Sequence, residues 1–190
     1  FARCLFTGVL PEVPGVHKDV RDLTADDVAG FQAIIHLAGL SNDPLGDYRP
    51  QLTEEINDQA SINLARLAKA AGVQRFLFAS SCSNYGAGGA DFLDEQAPFN
   101  PVTPYGVSKV RVEAALHQLA DADFSPTYLR ASTAYGVSPL LRFDLVINNL
   151  TAWASTTGLV YLKSDGSPWR PGVQGEDLAQ SDPNTVHVTK

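Results

Sequence analysis

The sequence predicts a doubly wound α/β fold built on a parallel sheet. Three observations carry it: two short apolar runs, Ala33 to Ala38 and Arg75 to Ser80; a helically spaced stretch between them; and a second helix-then-strand pair downstream. Strands covered on both faces by crossover helices read as continuous apolar runs rather than alternating ones. Strand, helix, strand then calls for a right-handed parallel crossover, and its repetition for an open sheet with helices on both sides.

Each element has its own signal. The first strand, Ala33 to Ala38, is bounded by Gly30 and Gly39. From Thr53 to Ala71, the residues Ile56, Ala60, Leu64, Leu67 and Ala68 recur at helical spacing, and Gly72 supplies the stop. The second strand, Arg75 to Ser80, follows at once. A helix over Val107 to Leu119 sets Val112, Ala115, Leu116 and Leu119 on one side, and a strand over Thr127 to Arg130 comes next. Past Ser138 the pattern loosens into an apolar helix over Phe143 to Thr156, a short strand over Leu159 to Leu162 and a Gly/Pro-rich segment from Asp165 to Gly175. The division expected is a main α/β domain over 1–137 and a smaller segment over 138–190.

Composition narrows the function. With 190 residues, 44% of them hydrophobic and 18% charged, the chain can bury a sizeable core. A formal net charge of -7 argues against nucleic acid or an anionic membrane as partner, since both are attracted by clustered Lys and Arg. The two cysteines, Cys4 and Cys82, match no metal-ligand spacing, so no metal is expected and the thiols read as reduced. No apolar run reaches the roughly 18 residues of a membrane span, and Arg3 interrupts the N-terminal apolar residues, so a cytoplasmic protein is expected.

Ligands of open α/β sheets sit beyond the carboxyl ends of the strands, which makes the polar residues after each apolar run the ones to inspect. Tyr105 and Lys109 are four apart and share a face if this segment is helical. A phenol titrates near 10, and a nearby ammonium favours the phenolate, which suits the pair to proton transfer. Taken alone, the spacing also describes an ordinary helix-surface pair. At the second strand end, Ser80, Ser81, Cys82 and Ser83 place hydroxyls where one can hydrogen-bond an alcohol or carbonyl oxygen, or simply cap the backbone of its own turn. At the first, Gly39 permits close backbone approach to a ligand. His36 reads as a core histidine, Cys82 as inert packing, and Tyr128, Tyr135, Phe143 and Trp153 as core.

These segments together resemble the extended short-chain dehydrogenase/reductases of the NAD-dependent epimerase/dehydratase family, of the UDP-galactose 4-epimerase-like type. The carriers are Lys18 to Asp22, Ile35 to Gly39, Asn57 with Ser61, Ser80 and Ser81 with Tyr85 and Gly86, and Tyr105 with Lys109; the likeness runs from about Lys18 to Gln180. It implies a Rossmann-type sheet, with the main domain binding a dinucleotide and the smaller segment binding substrate. It also implies Ser81, Tyr105 and Lys109 as the catalytic set, with NAD as cofactor and NADP as the alternative. The cofactor contacts implied are Asp19, Val20, Leu37, Ala38, Gly39, Asn57, Ser80, Tyr105 and Lys109. A nucleotide-sugar substrate would meet Ser81, Cys82, Ser83, Thr133, Asn148, Asn149 and Arg170. Epimerisation is the activity expected, with a keto-sugar reductase or dehydrogenase as the alternative within the family and a non-catalytic dinucleotide sensor or scaffold outside it. A homodimer through the helices 53–71 and 107–119 is a further expectation.

Three departures qualify the resemblance. No Gly-x-x-Gly-x-x-Gly follows a strand, so the first β-α unit, which brings backbone amides to a pyrophosphate, is expected to be absent from this chain. Gln174 to Ala179 departs from the family's usual ending and leads into a polar stretch, Ser181 to Lys190, so the substrate segment is expected to be incomplete as well. Cys82 and Ser83 stand where the 4,6-dehydratases carry an Asp-Glu pair, which argues for a reaction without removal of water.

Overall fold

The computed structural model describes residues 15–41, 48–86, 93–138, 141–162, 165 and 171–179. They divide into two units, a larger one within Val16–Arg130 and a smaller one within Ala131–Thr185.

In the larger unit a 3-10 turn, Val20–Asp22, and helix α1, Ala25–Val28, precede strand β1, Ala33–His36. One continuous helical stretch follows: α2, Pro50–Thr53, a π-helical segment, Glu54–Gln59, and α3, Ala60–Ala70. Strand β2, Arg75–Ser81, a 3-10 turn, Cys82–Tyr85, helix α4, Pro104–Leu119, and strand β3, Ser125–Ala131, complete the unit. The strand order is β1-β2-β3, with β1 and β2 parallel and Ala33 opposite Arg75. Ser125 N donates to Gln74 O at 2.9 Å, so β3 starts at the same edge of the sheet as β2. All three strands therefore deliver their carboxyl ends to one side.

Burial explains the register. Phe76 and Phe78 on β2 are fully enclosed by Leu64, Ala65 and Ala68 of α3, Val112 and Leu116 of α4, and Val28, Val73 and Phe124. Burying each large side chain contributes about 1.5–3 kcal/mol. The helices begin earlier than the apolar spacing predicts, at Pro50 and Pro104 instead of Thr53 and Val107, because proline is preorganised for a first turn. Thr103 caps α4, its Oγ1 accepting from Gly106 N at 3.1 Å.

The smaller unit holds strand β4, Thr133–Tyr135, helix α5, Val146–Thr157, strand β5, Gly172–Gln174, and helix α6, Gly175–Ala179, with β4 and β5 parallel. The strand expected over Leu159 to Leu162 does not form: those residues lie outside any ladder and are 56–76% exposed. An apolar run becomes a strand only where a partner satisfies its backbone, and β4 pairs with Gly172–Gln174, inside the Gly/Pro-rich segment. Phe143 and Trp153 are exposed rather than core, whereas Tyr128 packs against the core as expected. Among the described residues no helix is long and apolar enough to cross a membrane, and no group of three or more His, Cys, Asp or Glu side chains could hold a metal ion.

Candidate functional site

The carboxyl end of β2 turns directly into Cys82–Tyr85, and Ser81 makes that turn possible: its Oγ accepts from Ser83 N at 3.1 Å as the N-cap. That bond uses one lone pair of a hydroxyl that has a second lone pair and a proton besides. Ser81 is buried, and Cys82 and Ser83 are half-buried.

Helix α4 brings Tyr105 and Lys109 to this end of the sheet. Tyr105 is half-buried in the first turn, and Lys109 follows one turn on, buried, with Nζ donating to Ala79 O at 2.7 Å. The ammonium lies 4.6 Å from the Phe78 ring centroid and 5.4 Å from that of Tyr105. Burial pushes the Lys109 amine down to about 8. The two halves of the site touch through Gly106, where a Cβ would meet Ser83 O at 2.9 Å and Pro101 Cβ at 3.1 Å. Only glycine lets the first turn of α4 seat on the turn after Ser81.

Past β1, the residues Leu37, Ala38 and Gly39 are exposed. Asn57, from the π-helical segment, clamps their loop: its Oδ1 accepts from Leu40 N at 2.7 Å and its Nδ2 donates to Leu40 O at 2.8 Å. A Cβ on Gly39 would lie 3.0 Å from that Oδ1. The result is open backbone, fixed from beneath, at a strand end where a ribose or planar ring can approach closely, and these residues fit a dinucleotide. His36 is a core histidine, its Nε2 2.7 Å from Ser61 Oγ and its ring stacked 5.9 Å from Phe78. Burial, and secondly the charge of Lys109, push its imidazole down to about 4.

The other expected site residues are placed as follows. Asp19 is exposed and caps the turn that Val20 opens; Arg21, bonded to it through Nη2 at 2.9 Å, holds its carboxyl down to about 2. The Ser80 hydroxyl turns inward, donating to Glu113 Oε1 and accepting from Asn84 Nδ2, so any cofactor contact there falls to its backbone. In the smaller unit Thr133 opens β4, exposed. Asn148 fixes its own loop, Oδ1 accepting from Gly136 N and Nδ2 donating to Arg142 O, each at 2.9 Å. Asn149 Nδ2 donates to Phe143 O at 2.9 Å. Arg170 lies outside the described residues, as does Cys4. Ser81, Tyr105, Lys109, Asn57 and Gly39 thus share the larger unit, while Thr133, Asn148 and Asn149 belong to the smaller.

Sequence reasoning missed the buried group behind Ser81. The Glu113 carboxylate also accepts from Asn84 Nδ2 at 2.9 Å and pairs with Arg130 at 2.7 Å, and Arg130 Nη1 donates to Tyr85 OH at 2.9 Å. The signal available was position: Glu113 stands four residues beyond Lys109, on its face of the helix.

Residues 15–181 match the family described as NAD dependent epimerase/dehydratase. Human UDP-glucose 4-epimerase is 34% identical over 178 residues, covering 79% of this chain and 48% of that protein. A putative UDP-glucose 4-epimerase of Methanocaldococcus jannaschii is 30% identical over 132 residues, covering 66% of this chain and 43% of its own. Among solved structures, TunA, an NAD-dependent NDP-hexosamine 5,6-dehydratase of tunicamycin biosynthesis, superposes with a TM-score of 0.76 at 27% identity, covering 90% of this chain and 57% of that one. MoeE5 in complex with UDP-glucuronic acid and NAD gives 0.73 at 31% identity, covering 86% and 55%. The chain spans about half the length of the curated relatives it matches. Its parallel α/β sheet has the Rossmann-type fold of these neighbours. By the match over residues 15–181, the chain belongs to the NAD dependent epimerase/dehydratase family.

Proposed function

We propose that this chain supplies the catalytic strand ends of an enzyme that epimerises a nucleotide sugar with NAD, Ser81, Tyr105 and Lys109 acting on the sugar hydroxyl. The observation that carries the reading is the Lys109 ammonium, anchored on Ala79 O at 2.7 Å and held 5.4 Å from the Tyr105 ring. When bound, NAD supplies a two-electron acceptor for hydrogen leaving a sugar carbon.

The residues of the chain do the rest. Tyr105, as phenolate, takes the hydroxyl proton as the carbon is oxidised and returns it on reduction. Lys109 keeps that phenolate accessible near neutral pH by its charge, and its buried place excludes the water that would screen the pair. Ser81 donates to the developing carbonyl oxygen. Leu37 to Gly39, held by Asn57, give backbone for the cofactor to lie against, with Asp19 and Val20 toward its adenine end. Cys82, Ser83, Thr133, Asn148, Asn149 and Arg170 are the proposed sugar-nucleotide contacts. A relative named UDP-glucose 4-epimerase and a neighbour in complex with UDP-glucuronic acid and NAD both support a uridine-diphosphate sugar.

The test uses the full-length protein. UDP-glucose should convert to UDP-galactose with no net change in nicotinamide absorbance, and Tyr105→Phe should lower kcat by about 10²–10⁴-fold. Stoichiometric reduction of NAD by UDP-glucose would favour the dehydrogenase, and stoichiometric consumption of reduced cofactor on addition of a UDP-keto-sugar would favour the keto-sugar reductase. Unchanged turnover in Tyr105→Phe would sink the Ser81, Tyr105, Lys109 assignment, whereas no turnover in the wild type, with a biological activity that Tyr105→Phe leaves unchanged, would leave the sensor or scaffold.

A further inference from the structure

Three donor groups converge on one buried carboxylate behind Ser81. Ser80 Oγ donates to Glu113 Oε1, Asn84 Nδ2 donates to the same oxygen at 2.9 Å, and Arg130 donates through Nε at 3.0 and 3.2 Å and through Nη2 at 2.7 Å. The Glu113 side chain is 5% exposed and that of Arg130 19%. Arg130 is itself held, its guanidinium 4.6 Å from the Phe99 ring centroid and its Nη1 donating to Tyr85 OH and Glu95 O.

What these partners have in common is their place around Ser81. Ser80 precedes it in β2, and Asn84 sits in the turn that follows it. Successive strand residues face opposite sides, so pinning the Ser80 hydroxyl fixes the side to which Ser81 turns. Glu113 itself rides on α4 at i+4 from Lys109 and i+8 from Tyr105, on one helical face. One carboxylate therefore ties the helix bearing Tyr105 and Lys109 to the chain on both sides of Ser81.

Stability alone is a poor account of such a group, because a buried ion pair is often no better than an apolar packing of the same volume. A buried charge matched by several donors does fix one geometry, since the alternatives leave that charge or a donor unmatched. The Glu113 carboxylate is matched in this way, although Asn84 Oδ1 is buried without a hydrogen-bond partner among the described residues. We infer that Glu113, held by Arg130, is a positioning residue that sets the Ser81 hydroxyl against Tyr105 and Lys109 through its bonds to Ser80 and Asn84. This rests on the reading of Ser81, Tyr105 and Lys109 as the reacting set. Gln at position 113 keeps the shape but turns an amide N–H toward one of the donors, so the alignment should slip.

The experiment is a double-mutant cycle in the full-length protein, with kcat, KM for UDP-glucose and Kd for NAD measured on wild type, Glu113→Gln, Ser81→Ala, their combination and Tyr105→Phe. Glu113→Gln should lower kcat about tenfold or more, as small misplacements of reacting groups do, with Kd for NAD within about twofold. In the Ser81→Ala background the same change should cost less than about threefold, because coupled residues are non-additive. A single variant within about twofold of wild type, or a full effect persisting without the Ser81 hydroxyl, overturns the inference. If Glu113→Gln does not fold, Ser80→Ala removes one bond and keeps the ion pair; it should lower kcat by about threefold or more with the same non-additivity, and no loss overturns the inference. Tyr105→Phe separates the two failures, since full turnover there removes the catalytic set itself, whatever Glu113 does.

Discussion

A Cβ on Gly106 would lie 2.9 Å from the carbonyl oxygen of Ser83, so the first turn of the Tyr105 helix rests on the turn that follows Ser81. Alanine at position 106 gains up to about 1 kcal/mol in helix propensity. It must also move a backbone carbonyl and the Pro101 ring, a cost of about 1–3 kcal/mol. The net expectation for Gly106→Ala is lower stability, together with a kcat reduction out of proportion to it, because the displacement falls between Ser81 and Tyr105, the proposed reacting groups. Thermal unfolding alongside steady-state kinetics checks this; unchanged kcat in a destabilised variant would show that the seat does not align the site.

Among the described residues Asn57 alone hydrogen-bonds both the amide and the carbonyl of Leu40 with its side chain. Asn57→Ala removes both, and each abandoned group that is buried costs about 1–3 kcal/mol. Because the clamped loop is the proposed cofactor platform, the variant should bind NAD at least about tenfold more weakly, with the kcat of the saturated enzyme changed far less. Titration of NAD followed by kinetics at saturation reads the split. Loss of kcat with unaltered Kd would assign the loop to chemistry instead.

The two proline-led helix starts show how the sequence was readable and where it was not. Pro104 with Thr103 before it is a local signal, visible in the chain, and the helix begins where that pair demands; reading apolar periodicity alone delays it to Val107. The core face of α3, strand β2 and the placing of Tyr105 and Lys109 on one helix follow from local spacing and came out as expected, whereas β1 ends at His36 instead of Ala38 and leaves one face open, with Ile35 63% exposed. The π-helical segment that carries Asn57, the β4–β5 pairing and the Glu113–Arg130 pair depend on partners distant in the chain. No local pattern encodes a partner, and Leu159 to Leu162 illustrates the converse, a strand-like sequence with no ladder to join.

His36 gives the fold an acid-sensitive point. Its imidazole is held down to about 4 by burial and by the Lys109 charge, against about 6.5 when unfolded. As pH falls through that interval the unfolded chain takes up the proton first, so stability is full above about 6.5 and declines toward 4, by roughly 3 kcal/mol in all. His36→Gln, which does not titrate, should flatten the decline in that window. Urea unfolding at several pH values between neutrality and 4 tests it; an identical slope in the variant would place the acid lability elsewhere.

Lys109 should carry a cost to the fold in return for its place beside Tyr105. Its amine titrates at about 8, below the ordinary 10.5, because burial disfavours the charge, and among the described residues no carboxylate pairs with it. Since the unfolded chain binds this proton more tightly, stability is lowest below pH 8 and rises as pH climbs from 8 to 10.5. Lys109→Met removes the charge and keeps the length, losing the bond to Ala79 O and the contact with the Phe78 face. Holding the charge in a place that brings the amine down from 10.5 to about 8 costs roughly 3 kcal/mol, against about 1–3 kcal/mol for leaving Ala79 O without its bond, so the balance favours the variant. The variant should therefore unfold at higher denaturant near neutral pH, lose the alkaline gain in stability, and turn over about 10²–10⁴-fold more slowly. Its residual kcat should climb with pH toward the unassisted phenol range near 10, as Tyr105 ionises without help. Unfolding curves and a pH–rate profile on the same preparations decide it: a variant less stable than wild type, with a flat profile, would mean that Lys109 serves the architecture and not the proton transfer.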